Sequence, residues 1–255
     1  AYANDILWVN SAGNDRSSHA LTQWTDSNSD NSMDWAPTSV GSNFVNQIGW
    51  YDAGEVIDVA LTWNAWPATN QDFDLWLRRW TGSSWTTVAS SSGSQTGTQA
   101  PVEGVFGYSV TTGAYYGVTV RKYSANTSPT FILRILSGGV QYYSYNNNTT
   151  PVAGSIGCPA DAQSALAVGA IPFGNYLTGP IEWFSSIGPN NGAYTGKPVL
   201  TKPNVCGPDA TASWTYSGGF YGTSASSPHV AGAAAVLRGA LPTYTAAQIR
   251  SYIES

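Results

Sequence analysis

The stretch Gly222-Thr223-Ser224-Ala225-Ser226-Ser227-Pro228-His229-Val230-Ala231, continued by Gly232 and an alanine run, has the form of a nucleophile set at the start of a helix. A glycine lets the backbone turn sharply into the serine. Pro228 reads as a residue of the first helical turn, and the small side chains of 231–235 allow close packing on a sheet. Ser224 then lies at the positive end of a helix, where backbone N–H groups can stabilise an anion forming on a substrate carbonyl. The plainer reading, a turn and N-cap ahead of a buried helix, accounts for most Gly-x-Ser triplets but not for so long a string.

Working outward, Asp5-Ile6-Leu7-Trp8-Val9-Asn10 is a short apolar run ending in Ser11-Ala12-Gly13-Asn14, which reads as a buried parallel strand entering a tight turn. A second such run covers 164–170, and a third strand is expected at 198–205, where Pro198 and Pro203 interrupt it. Helices are predicted at 224–240 and, after Pro242, at about 245–254, with Thr245 as N-cap. From 22 to 150 the character changes to alternating β-branched and aromatic residues between turn signals. Segments 56–63, 74–78, 115–120 and 130–136 read as strands of a separate antiparallel β-sandwich or jelly roll. The predicted organisation is therefore α/β for 1–21 with 151–255, and all-β for the inserted 22–150.

The composition excludes some functions. In 255 residues only 10% are charged, the formal net charge is −5 and no Lys/Arg cluster occurs, so nucleic acid is not an expected partner. No run of 18 apolar residues exists, so no membrane span is predicted. Eleven Trp, fifteen Tyr, many Ser, Thr, Asn and Gly, and few Lys suggest an extracellular protein whose targeting segment has been removed. Cys158 and Cys206 are the only cysteines; one disulfide and two separate buried thiols both fit.

The string around Ser224 resembles the active-site serine motif of the subtilases, the subtilisin-like serine proteases: Gly-Thr-Ser, a small residue, Pro-His-Val and Ala-Gly. Ser11-Ala12-Gly13-Asn14 is similar to the family's Ala-Ala-Gly-Asn, which implies Asn14 as the side-chain donor of the oxyanion hole. Ser11, Ala12 and Gly13, with Gly222 and Thr223, would line the substrate cleft. The segment 159–170 resembles the family's proline loop and following Ala-Val-Gly-Ala strand, and Phe184-Ser185-Ser186-Ile187-Gly188-Pro189 its Phe-Ser-Ser-x-Gly stretch. Lys197-Pro198-Val199 onward is matched to Lys-Pro-Asp-x-x-Ala-Pro-Gly. That match puts Val199 at the aspartate and Asn204 at the glycine, implying a rebuilt loop with a Cys158–Cys206 disulfide.

Subtilases order their triad Asp, His, Ser, and only thirteen residues precede Asn14. No Asp-Ser/Thr-Gly and no His-Gly-Thr-His occurs in the chain. His229 follows Ser224 by little more than one helical turn and the resemblance makes it structural; His19, in Arg16-Ser17-Ser18-His19-Ala20, reads as a polar loop histidine. The expectation is a C-terminal half of a serine endopeptidase acting on protein or peptide substrates, inert alone. Its exposed sheet edge would be covered by the missing N-terminal half or a second copy. No cofactor is expected for the chemistry.

The stretch 54–62, Asp72-Phe73-Asp74-Leu75-Trp76-Leu77 and 113–120 resemble the pre-peptidase C-terminal β-sandwich attached to secreted proteases. Asp72 and Asp74 could hold a structural calcium or cap a strand. The alternative function is a non-catalytic binding module on this sandwich, for calcium, carbohydrate or protein.

Overall fold

A computed structural model describes residues 2–36, 44–141, 153–190 and 198–255, and the chain divides into two compact units. The first comprises Ala1–Arg16, Ala153–Ala193 and Pro198–Ser255; the second is built on Ser17–Val152. The chain leaves the first unit after Arg16 rather than after residue 21, because His19–Gln23 is a strand of the second.

The first unit carries a three-stranded parallel sheet in the order β1 (Trp8–Ser11), β10 (Ala165–Pro172), β11 (Val205–Asp209). Seven of the eight β10 residues are buried, as a central parallel strand covered on both faces requires. Ala12, Ile156, Ala160 and Ala167 form one buried cluster; Leu166, Val168 and Val230 form another, joined by Leu7, Val9, Val205 and Ile253. Val230 lies on helix α1 (Thr223–Ala240), which packs on this sheet. Gly207 permits the approach: a Cβ there would sit 2.6 Å from the carbonyl oxygen of Ser226. Helix α2 (Ala246–Glu254) starts at Thr245, whose hydroxyl accepts from the Gln248 N–H while the Gln248 side chain accepts from the Thr245 N–H, a capping box. Asp5 ties the two helices, accepting from Arg238 at 2.6 Å and from the Ala246 N–H at 2.5 Å.

Three expectations for this unit need correction. The strand predicted at 198–205 is β11 at Val205–Asp209, because Pro198 and Pro203 cannot donate to a ladder. Pro228 lies inside α1 rather than in its first turn, leaving the Ser224 carbonyl without the i+4 donor it would otherwise have. Within 231–235 only Ala234 is buried.

The second unit has two four-stranded antiparallel sheets. One runs β2 (His19–Gln23), β9 (Thr130–Ile135), β4 (Val56–Trp63), β7 (Val102–Ser109); the other runs β3 (Asn46–Tyr51), β8 (Ala114–Ser124), β5 (Asp72–Trp80), β6 (Trp85–Ser91). Alternation decides which side chains are buried. Ile57, Val59, Leu61 and Trp63 from β4, Phe73, Leu75 and Leu77 from β5, Tyr116, Val118 and Val120 from β8, and Phe131, Leu133 and Ile135 from β9 share one core. Phe73 and Phe131, from different sheets, meet edge to face at 5.0 Å, with Trp24 and Trp63 around them.

His19 is fully buried in β2 opposite Arg134, not a loop residue, and neither ring nitrogen has a hydrogen-bond partner. Burial, and secondarily the Arg134 charge, pushes its pKa down to about 3.

Candidate active site

Elements far apart in sequence meet at the start of α1. Gly222 has a φ of 110°, in the region open to glycine, and turns the chain into Thr223 and Ser224. Thr223 is buried, whereas Ser224 and Asn14 are exposed. The Thr223 hydroxyl accepts from the Gly13 N–H at 3.2 Å and donates to Asn14 Oδ1 at 3.1 Å; the Thr223 N–H donates to the same oxygen at 3.0 Å. Asn14 Oδ1 is thereby occupied, and its Nδ2 lies beside Gly222, 3.1 Å from where a Cβ would stand. Gly13, Asn14, Gly222, Thr223 and Ser224, expected together from the sequence, meet at this turn. Ala12 is buried and donates its N–H to Val168 O, and Ser11 ends β1 half-buried.

Ser186 was not anticipated in this arrangement. Its N–H donates to Gly13 O at 2.9 Å and its hydroxyl accepts from the Asp15 N–H at 3.0 Å, so it holds the Gly13–Asp15 turn from the opposite side. Ser185 accepts from the Ala170 N–H. The Phe-Ser-Ser segment was the available signal.

Helix geometry adds electrophilic character. The first N–H groups of a helix lack intrahelical acceptors. The Thr223 N–H goes to Asn14, and those of Ala225 and Ser226 fold back on Gly222 O, which leaves the Ser224 N–H as the group able to face a ligand. His229 is turned away from a role as base: its Nδ1 lies 2.8 Å from the Ala225 carbonyl oxygen on its own helix.

Lys202, though cationic, is buried and fully paired: Nζ donates to Ala162 O, Ala165 O and Asn204 Oδ1 at 3.0, 2.7 and 2.9 Å. Asn204 Oδ1 also accepts from the Ala167 N–H. These contacts move the sequence match. Lys202-Pro203-Asn204 takes the place of Lys-Pro-Asp, with Val205-Cys206-Gly207-Pro208-Asp209 as the strand, so Asp209 and not Asn204 stands at the pattern's glycine; Lys197 is outside the described residues.

The expected Cys158–Cys206 disulfide is absent: both thiols are free and exposed. Cys206 is held in β11 opposite Gly169, while Cys158 lies in the turn before β10, and neither element brings one sulfur to the other. Asp72 and Asp74 lie two positions apart on β5. Calcium takes six to eight oxygens, and among the described residues no group of three His, Cys, Asp or Glu side chains could hold a metal ion. Asp72 is buried and takes a backbone hydrogen bond from Gln95, which fits the strand-capping alternative.

A family profile described as "Subtilase family" matches residues 1–255. The chain belongs to the subtilase family. It is 34% identical over 114 residues to subtilisin NAT of Bacillus subtilis subsp. natto, covering 43% of this chain and 26% of that protein. The figures for subtilisin of Bacillus pumilus are 34% over 114 residues, with 43% and 36% covered. The chain thus spans roughly a quarter to a third of the curated relatives it matches. The solved structure of the Clostridium perfringens CspB protease aligns with a TM-score of 0.56 at 16% identity, covering 96% of this chain and 53% of that one, a likeness of fold. Among the described residues no helix is long and apolar enough to cross a membrane.

Proposed function

We propose that this chain supplies the nucleophile and oxyanion site of a secreted subtilisin-like serine endopeptidase. Ser224 Oγ attacks the scissile carbonyl and forms an acyl-enzyme, while Asn14 Nδ2 and the Ser224 N–H receive the developing oxyanion. The observation that carries this reading is Thr223, which pins the Asn14 amide oxygen and leaves the amide N–H₂ to donate beside the serine. Backbone groups of Ser11, Ala12 and Gly13 form one wall for an extended peptide.

The proton acceptor for Ser224 comes from outside these residues, since His19 is buried in a strand of the second unit and His229 is tied to Ala225. Alone, the chain is therefore inert: loss of a triad member costs on the order of 10⁴–10⁶ in turnover. The remainder of the protease domain would add to β1, which pairs only with β10 among the described strands. It would also cover the groove of about 440 Å³ between Trp8, Ala231, Ala235 and Ile249. A second copy of the chain is the other candidate cover. Mixing the chain with the segment carrying the Asp and His and treating the pair with a fluorophosphonate should label Ser224; an unlabelled, correctly reassembled pair contradicts the reading.

A second reading takes the second unit, built on Ser17–Val152, as a pre-peptidase-like module that binds carbohydrate or protein. It is favoured by Trp50 and Tyr115, stacked edge to face at 5.3 Å while 55% and 44% exposed. Glycan-array binding lost in Trp50→Ala would support it, and an empty array would count against carbohydrate.

A further inference from the structure

Asp209 is completely buried at the end of β11, in register with Pro172 of β10. Its Oδ2 accepts from the Gly222 N–H at 3.1 Å, the peptide group that turns the chain into Thr223 and Ser224. Its Oδ1 has no donor among the neutral and cationic groups around it. Leaving a buried carboxylate oxygen without a donor is unfavourable, so such an atom beside this turn requires a source of a proton. Glu182 is seated beside this strand end: its backbone N–H donates to Ala170 O at 2.9 Å, on the strand whose Pro172 is in register with Asp209, and its side chain interacts with that of Asp209. Two carboxylates cannot bond to each other; a carboxylic acid and a carboxylate can.

We infer that Glu182 is protonated and donates to Asp209 Oδ1, forming an acid pair that positions the Gly222 N–H and through it the Ser224 turn. The inference rests on the protease reading for its role and on the carboxyl geometry for its existence. Burial and then the neighbouring Asp209 charge push the Glu182 carboxyl above its ordinary range, with the Trp183 N–H acting weakly the other way. The charge acting on the Glu182 carboxyl is that of Asp209 on β11; β10 takes the Glu182 N–H at Ala170, and Arg16, whose N–H donates to Phe184 O at 3.3 Å, is the cation on the neighbouring backbone. The pair also explains why Asp209 stands at the family pattern's glycine position: its side chain takes a backbone bond that a glycine could not offer. Both are positioning residues, acting on the serine through Gly222.

The test uses the full-length protein and two readouts. In infrared difference spectra, wild type should show the C=O stretch of a protonated carboxyl at a pH above the ordinary carboxylate range, and Glu182→Gln should abolish it. For fluorophosphonate labelling of Ser224, Glu182→Ala should be about tenfold slower. Glu182→Gln, whose amide N–H₂ keeps a donor on Asp209 at every pH, should be as fast as wild type at low pH. As pH rises through the Glu182 titration the ratio of its rate to wild type should increase. A missing band, or one that survives in Glu182→Gln, overturns the acid pair even if Ser224 labels normally. A band with no labelling at all leaves the pair standing and overturns the protease reading. Glu182→Ala labelling at the wild-type rate overturns the positioning role.

Discussion

Both donors of Thr223, its backbone N–H and its hydroxyl, converge on the same atom, Oδ1 of Asn14, at 3.0 and 3.1 Å. One oxygen is saturated so that the other end of the amide is oriented. The hydroxyl does this while accepting from the Gly13 N–H, so strand β1, its turn and helix α1 are joined through one side chain.

Replacing that hydroxyl by a methyl group should loosen the Asn14 amide without removing it. In the complete protease Thr223→Val is expected to lower kcat about tenfold with little change in KM, whereas Asn14→Ala should lower kcat by about 10²–10³. Steady-state kinetics on a peptide substrate distinguish the two; a larger effect on KM than on kcat would assign both residues to ground-state binding.

Gly207 gives the packing counterpart. An added Cβ would stand 2.6 Å from Ser226 O and 3.0 Å from Val230 Cγ2, neither free to move, since Ser226 is helix backbone and Val230 fills the sheet–helix core. Gly207→Ala should therefore push α1 from the sheet and destabilise the fold by about 1–3 kcal/mol. Urea unfolding measures it; an unchanged midpoint would contradict this account of the contact.

His19 makes stability depend on pH in a defined direction. Its pKa is about 3 in the fold against 6.5 unperturbed, so between these values the unfolded chain binds the extra proton. Its contribution is fully present above about pH 6.5 and is lost as pH falls toward 3, by on the order of 4 kcal/mol. His19→Leu should flatten this acid limb of stability; a variant that keeps the full slope would place the acid sensitivity elsewhere.

Because Cys158 and Cys206 are free, reductant should leave the melting temperature unchanged, and a thiol reagent should react with both in the folded protein. Loss of stability on adding reductant would reinstate the disulfide.

Much of this was legible from local pattern. The helix starting near Ser224, the cap at Thr245 and the strand at Val56–Trp63 follow from caps and period-2 alternation, which are properties of neighbouring residues. Other strands were not legible. Asn46–Tyr51 and Val102–Ser109 contain glycines and bulges that break alternation, and they become strands because neighbours in the sheet supply partners for their backbones. His19 looked like a loop residue because its polar neighbours said nothing of Arg134, 115 positions later, across which β2 pairs.

The sequence by itself determined the family, through the string around Ser224 and the separate Ser11-Ala12-Gly13-Asn14 turn, because each segment carries its residue types at short spacing. Only the tertiary structure decided which strand follows Lys202, that the two cysteines stay apart, and that Asp209 takes the Gly222 N–H. Those relations depend on the register of β10 with β11 and on the seating of a loop, and contacts between distant segments leave no periodicity in the sequence. The Ser224 string carries the family pattern, while the fold shows what holds that turn in place.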